Sequence, residues 1–355
     1  MTKQRLEWIS GAKFIAIMAV VIVHCNGLMY TSNYIAMATS FSVTLFILLS
    51  GIGTYLSYSK SLNTSIVKGV LKTLPLLKSY ILATFILYLA YKREFLLFDL
   101  LKHIVKFDIE GTFYFVFFFL QLKLISPILL KWYGYCDRKP NRAMLHGLSL
   151  AASLVLSSIF INHTYTLPLY GGGKFLFGGT YFFVYYLGIV IGPICNIKPE
   201  KKQLILIGII SAVLWFIWSV GIATYKLPFD IWLRPVLGYG DNPPSLNYIV
   251  FALLTLTICY AFIELLSGID NTVVKKLLSV ITCLGNNTLE IFLYHFAIMK
   301  LATEFFPVFT LNVWLARLVL FPAMVLLAPA VKYVFLKIIK CNDRYSKSKI
   351  TLTIE

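Results

Sequence analysis

Two histidines lie inside apolar runs, where an ionisable ring is costly and marks a functional position. His24 closes the run that begins at Lys13 in RLEWISGAKFIAIMAVVIVHCNG, and His295 lies in ITCLGNNTLEIFLYHFAIMK behind Glu290. A neutral imidazole both accepts and donates a proton near neutral pH, as acyl or proton transfer requires. The same ring can instead serve only to bond a neighbouring helix. Eleven residues of α-helix advance about 16 Å and close about three turns, so Lys13 and His24 share a face, one near the membrane surface and the other near mid-bilayer. That spacing predicts a polar track down one helix. In the second segment Thr288 and His295 share a face, whereas Glu290 aligns with Asn286 and Tyr294. Glu290 is therefore either a catalytic partner or a residue that holds helices together.

Lys68, Lys72 and Lys78 surround LPLLKSY and form a third group. Clustered lysines at a membrane boundary set topology or touch anionic lipid. They also supply the several convergent donors that a phosphorylated ligand needs. Lys123 lies near the end of a span, close enough to snorkel to the surface, and is given no chemistry. The six cysteines form no CxxC pair and no metal-ligand spacing. No GxSxG elbow, HExxH motif or DxD-type cluster is present, which argues against a hydrolase, a zinc protease and a metal-dependent glycosyltransferase. No metal site is expected.

The elements that must position these residues are membrane helices. With 59% hydrophobic and 13% charged residues and a mean hydropathy of +0.80, 355 residues do not make soluble domains. The expected fold is all-α: a polytopic bundle of about ten spans, near 11–30, 36–57, 74–91, 112–131, 143–161, 178–196, 203–222, 247–266, 281–302 and 312–331. The first run has no small-residue cleavage site and reads as a retained span. Residues 1–355 read as one integral-membrane domain with no appended soluble part. The net charge of +17 falls in short clusters between the spans rather than in one patch, so no nucleic-acid partner is expected. Assigning both termini to the cytoplasm puts most of the 32 basic residues on that side.

Three of the segments assigned to the outer side are long. Residues 92–111 place Phe95, Phe98, Leu101 and Val105 at helical spacing opposite charges, which predicts an amphipathic helix lying in the interface. Residues 162–177 contain Gly171, Gly172 and Gly173, a flexible turn with no following GK[ST]. Residues 223–246 combine aromatic side chains and four prolines with Asp230, Trp232, Arg234 and Asp241. This last loop is the richest in polar and aromatic residues and is the candidate for recognising an outer ligand, through Asp230, Trp232 and Arg234, because loops vary without disturbing a framework.

Four segments, in this order, resemble acyltransferase family three, the integral-membrane O-acyltransferases that acetylate bacterial surface and periplasmic sugars. Lys13 and His24, with Ile15 and Ala16, resemble the family's basic residue, ten intervening residues and histidine. LFILLSG resembles its FFxLSG, FYFVFFFLQLKLISPIL its LWFLxxLxxxYxxxPxL, and LGNNTLEIFLYH its LGxxSLxIYLxH. The family's Arg-x-x-Arg near the third span is not intact: Lys72 stands for the second arginine and Gly69 for the first, beside Lys68. Lysine keeps the charge but not the bidentate fork. Tyr114 replaces the tryptophan of the fourth span.

The resemblance implies an O-acetyltransferase of the bacterial cytoplasmic membrane. It would move an acyl group, most often acetyl, from cytoplasmic acyl-coenzyme A to a hydroxyl of a surface or lipid-linked saccharide. Acetyl-coenzyme A is then a co-substrate, with no tightly bound cofactor, and the lipid bilayer and the saccharide are the partners. His24, His295 and Glu290 would be catalytic, one histidine serving as general base, and Lys13, Lys68, Lys72 and Lys78 would hold the donor. Two rivals remain at this point: a flippase or transporter of a lipid-linked sugar, and a polysaccharide polymerase.

Overall fold

The computed structural model describes residues 7–58, 66–92, 95–163, 177–197, 199–224, 243–331, 333, 334 and 337. It is helical, with no strand among the described residues. The reason is the solvent: lipid offers no hydrogen bonds, so each spanning backbone must satisfy itself within a helix. Among the described residues, nine helices are long and apolar enough to cross a membrane, and a bent helix pair brings the number to ten if it counts as one span.

In chain order the helices are α1 (Glu7–His24), α2 (Asn33–Ala38), α3 (Ser42–Tyr58), α4 (Ile66–Tyr91), α5 (Leu97–Lys106), α6 (Tyr114–Asp137), α7 (Arg142–His163), α8 (Phe182–Ile191), α9 (Lys201–Thr224), α10 (Leu246–Ser267), α11 (Thr272–Asn286) and α12 (Thr288–Phe305). The last, α13 (Val313–Val331), opens through a π-helical turn at Ala316–Leu320.

α1 is central, packed on α3, α10, α11 and α12. Two apolar clusters divide its length. Trp8, Ile9, Ala12, Ala16 and Ala19 join α3, α6, α8 and α10. Ile17, Val20 and Val21 join α4, α6, α12 and α13. The outer helices turn apolar side chains away from the protein: Leu206, Ile209 and Phe216 of α9 are all more than half exposed, as a lipid-facing surface requires.

Close helix approach is built from small residues. A Cβ on Gly51 would lie 2.2 Å from the Tyr185 carbonyl oxygen, and one on Gly188 would lie 2.2 Å from that of Leu48. The LFILLSG segment of α3 therefore meets α8 backbone to backbone. Pro127 interrupts the hydrogen-bond ladder of α6 without ending the helix. Ser126 Oγ donates to the Lys123 carbonyl at 2.7 Å, the acceptor that Pro127 leaves without its usual donor.

The amphipathic helix expected in residues 92–111 is α5. Phe98 and Val105 are 83% and 63% exposed, while the opposite side is tied down by the Tyr88 hydroxyl on Asp99 and the Tyr80 hydroxyl on the Ile104 carbonyl. The glycine turn at 171–173 lies outside the described residues.

The segment expected to span over residues 281–302 is bent rather than one continuous helix. The chain breaks at Asn287, where α11 and α12 meet at 76°. The side chains of the two asparagines explain it. Asn287 Nδ2 donates to the Cys283 carbonyl at 2.8 Å, competing with the helix for its own acceptor, and Asn286 Oδ1 accepts from Ser10 Oγ at 2.9 Å. Gly285 lets this corner press on α1, since a Cβ there would lie 1.9 Å from the Ser10 carbonyl oxygen.

Candidate active site

Two elements bring the histidines together. α1 ends at His24, and α12 carries His295 two turns in from the break. His24 Nδ1 and His295 Nε2 are 2.7 Å apart. The ring planes differ by 7° with centroids 5.0 Å apart, so the imidazoles meet edge to edge and nearly coplanar. His295 is fully buried, between the rings of Phe292 and Phe296. Its Nδ1 lies 2.9 Å from the carbonyl oxygens of both Ile291 and Phe292. His24 is half-buried, with Phe296 edge-on to its ring.

On one side of this pair is a cavity of about 550 Å³ between α1, α3, α4, α6 and α12. Its polar lining includes Lys13, Lys72, Lys123, Asn286, Thr288 and Glu290. Three ammonium groups thus face one carboxylate, a balance suited to an anionic ligand. Lys72 Nζ sits 3.6 Å from the centroid of the Tyr58 ring. Lys123 Nζ donates to Thr54 Oγ1 at 3.0 Å, and Thr54 in turn meets the Tyr185 hydroxyl at 2.7 Å.

The expected polar track from Lys13 to His24 is interrupted. The cavity reaches Lys13, but its lining ends at Val116 and Phe292. These belong to the buried apolar cluster that continues with Ile17, Val21 and Ile291. Phe292 touches both compartments: it lines the cavity, and its ring centroid is 6.2 Å from that of His295. One apolar layer therefore separates the ammonium groups from the imidazoles.

Of the other residues singled out in the sequence, Glu290 opens onto the cavity about 7 Å before His295 along the helix axis. Thr288 shares that cavity instead of facing His24, because the break at Asn287 reorients the start of α12. Lys78 is exposed and not part of the lining. The Lys68 side chain lies outside the described residues, as do Asp230, Trp232 and Arg234. Gly69, where the family pattern has an arginine, faces Pro127 so closely that a Cβ would lie 2.5 Å from its Cγ.

Three residues escape a sequence reading. Lys123 joins the cavity, although its length allows an equally good snorkelling position. Arg317, in the π-helical turn of α13, donates from Nε to the Met29 carbonyl at 2.8 Å and packs against Trp314. It thereby ties α13 to the turn that follows His24, and its one sequence signal is a charge inside an apolar run. Lys300 stands over the Tyr91 ring at 4.1 Å, and the Tyr91 hydroxyl donates to Glu110 at 3.0 Å. On α12, Glu290, His295 and Lys300 follow at five-residue intervals, so the histidine pair lies between the cavity and a second polar group.

A family model described as an acyltransferase domain matches residues 6–333. No curated protein and no solved structure matches the chain.

Proposed function

Because the chain belongs to acyltransferase family three, we propose that it carries an acetyl group from acetyl-coenzyme A to a hydroxyl of a surface or lipid-linked saccharide. It does so in the cytoplasmic membrane of a bacterium. The single observation that carries this reading is the 2.7 Å contact between His24 and His295, one apolar layer away from a lysine-lined cavity. The membership favours acyl transfer over a flippase or a polymerase.

The donor enters the cavity from the cytoplasmic side. Lys13, Lys72 and Lys123 meet its phosphates, since charge-assisted hydrogen bonds to phosphate oxygens are the strong kind. Its thioester then extends past Phe292 towards the histidines. The acceptor hydroxyl arrives from the opposite side, where residues 223–246, with Asp230, Trp232 and Arg234, choose the sugar. One imidazole takes the hydroxyl proton while the oxygen attacks the thioester carbonyl carbon, and the carbon–sulfur bond breaks. Brought together at one site, the two reactants need not meet by diffusion, which is a large part of the barrier to such a transfer.

The test is mass spectrometry of surface glycans from cells with and without the gene. Loss of one acetyl mass per modified sugar is the expected result. Glycans of unchanged mass that disappear from the surface, or shorter chains, would contradict it and point to transport or polymerisation.

A further inference from the structure

We infer that the two histidines are not interchangeable: His24 is the base, acting through Nε2, and His295 is a positioning residue that fixes the tautomer of His24. This rests on the acyl-transfer reading only for the identity of the proton donor. The assignment follows from which atoms can donate. The Ile291 and Phe292 carbonyl oxygens, each 2.9 Å from His295 Nδ1, can only accept. Nδ1 of His295 therefore carries the hydrogen, and the neutral ring has its lone pair on Nε2. That lone pair faces His24 Nδ1 at 2.7 Å. Two lone pairs cannot meet at this distance, so His24 supplies the hydrogen from Nδ1 and its own lone pair is on Nε2.

The consequence is directional. His295 Nε2 is occupied by His24, whereas His24 Nε2 has no hydrogen-bond partner among the described residues. The ring of His295 is sealed at 0% exposure, and that of His24 is not. A hydroxyl can therefore reach His24 and not His295. In the reaction the acceptor O–H bond breaks, its proton bonds to His24 Nε2, and the oxygen bonds to the thioester carbonyl carbon. As the carbon–sulfur bond breaks, the same proton returns from Nε2 to the departing sulfur, giving the ester and the free thiol. While His24 holds the extra proton, its Nδ1–H bond to His295 strengthens, because a charged donor bonds a neutral acceptor better. The orienting role is the one a buried carboxylate plays for the histidine of a serine protease.

The experiment has two arms. In membranes of the producing cells, which carry their own acceptor, given labelled acetyl-coenzyme A, His295→Phe keeps the ring and removes the hydrogen-bond partner of His24 Nδ1, and it should lower kcat on the order of 10²- to 10⁴-fold with KM for the donor unchanged. His295→Gln, whose Oε1 can accept from His24 Nδ1–H, should recover at least tenfold of that loss and keep the shape of the pH profile. Wild-type kcat and pH profile in His295→Phe would overturn the assignment, as would equal loss in both variants. The second arm is ¹⁵N NMR of histidine-labelled protein in lipid, with His24→Ala identifying the His24 signals. A protonated Nδ1 and a bare Nε2 are expected, and the opposite tautomer overturns the assignment whether or not any transfer is seen. The expected tautomer in a wild-type protein that transfers no acetyl would instead reject the acyl-transfer reading and leave the assignment standing.

Discussion

At position 123 an ammonium group lies within a span, hydrogen-bonded to Thr54 and facing the same cavity as Lys13 and Lys72. Replacing it by methionine keeps the volume and removes one of the donors proposed to meet the phosphates of acetyl-coenzyme A. Lys123→Met is expected to raise KM for acetyl-coenzyme A about tenfold, the size of one charge-assisted hydrogen bond, while kcat stays within about twofold. Initial rates over a donor series check this. Arg317 acts at the other end of the site. Its bond to the Met29 carbonyl holds the turn behind His24, so Arg317→Ala should lower kcat about fivefold to tenfold with the donor KM unchanged, a split seen in the same assay. At this scale the histidines were legible because an imidazole in an apolar run is expensive and rarely incidental. Lys123 was not, because a flexible four-carbon stem reaches either a surface or an interior from the same backbone position.

The elements were legible wherever one apolar run makes one helix. The hydrophobic stretches of α1, α3, α6 and α10 fix their existence, and Ser50, Gly51 and Gly53 announce a tight helix contact. Which glycine makes that contact is a packing matter: Gly51 abuts the α8 backbone, whereas Gly53 lines the cavity. Gly51→Ala should therefore be severe and Gly53→Ala mild. Overpacking of this kind costs about 1–3 kcal/mol, and more where backbone faces backbone, so a lower melting temperature of the detergent-extracted Gly51→Ala protein is the expected reading. The break between α11 and α12 was invisible to periodicity, since nothing in LGNNTLE forbids a helix. It is made by side chains that prefer other partners, Asn287 with the Cys283 carbonyl and Asn286 with Ser10. The same break moved Thr288 off the histidine face and into the cavity.

For the whole molecule, the central feature is a polar cavity and a histidine pair divided by one apolar layer across a bundle centred on α1. The composition made the bundle plain. A shared site for residues 24 and 295 demands that their helices touch, and no pattern within either helix says which of the others is its neighbour. If the cavity opens to the cytoplasm, a cysteine at Ser57 should react with a membrane-impermeant thiol reagent from that side and be protected by acetyl-coenzyme A. A cysteine at Asn26, exposed just beyond His24, should react only from the opposite side. Labelling of both from one side would defeat a reaction that joins a donor inside to an acceptor outside. The most direct measurement is acetyl transfer by His24→Ala protein that reaches the membrane in normal amount. Transfer of labelled acetyl to the saccharide should fall on the order of 10²- to 10⁴-fold, while binding of acetyl-coenzyme A, proposed to rest on Lys13, Lys72 and Lys123, stays close to wild type. Undiminished transfer by that variant would contradict the assignment of His24 as the centre of the reaction.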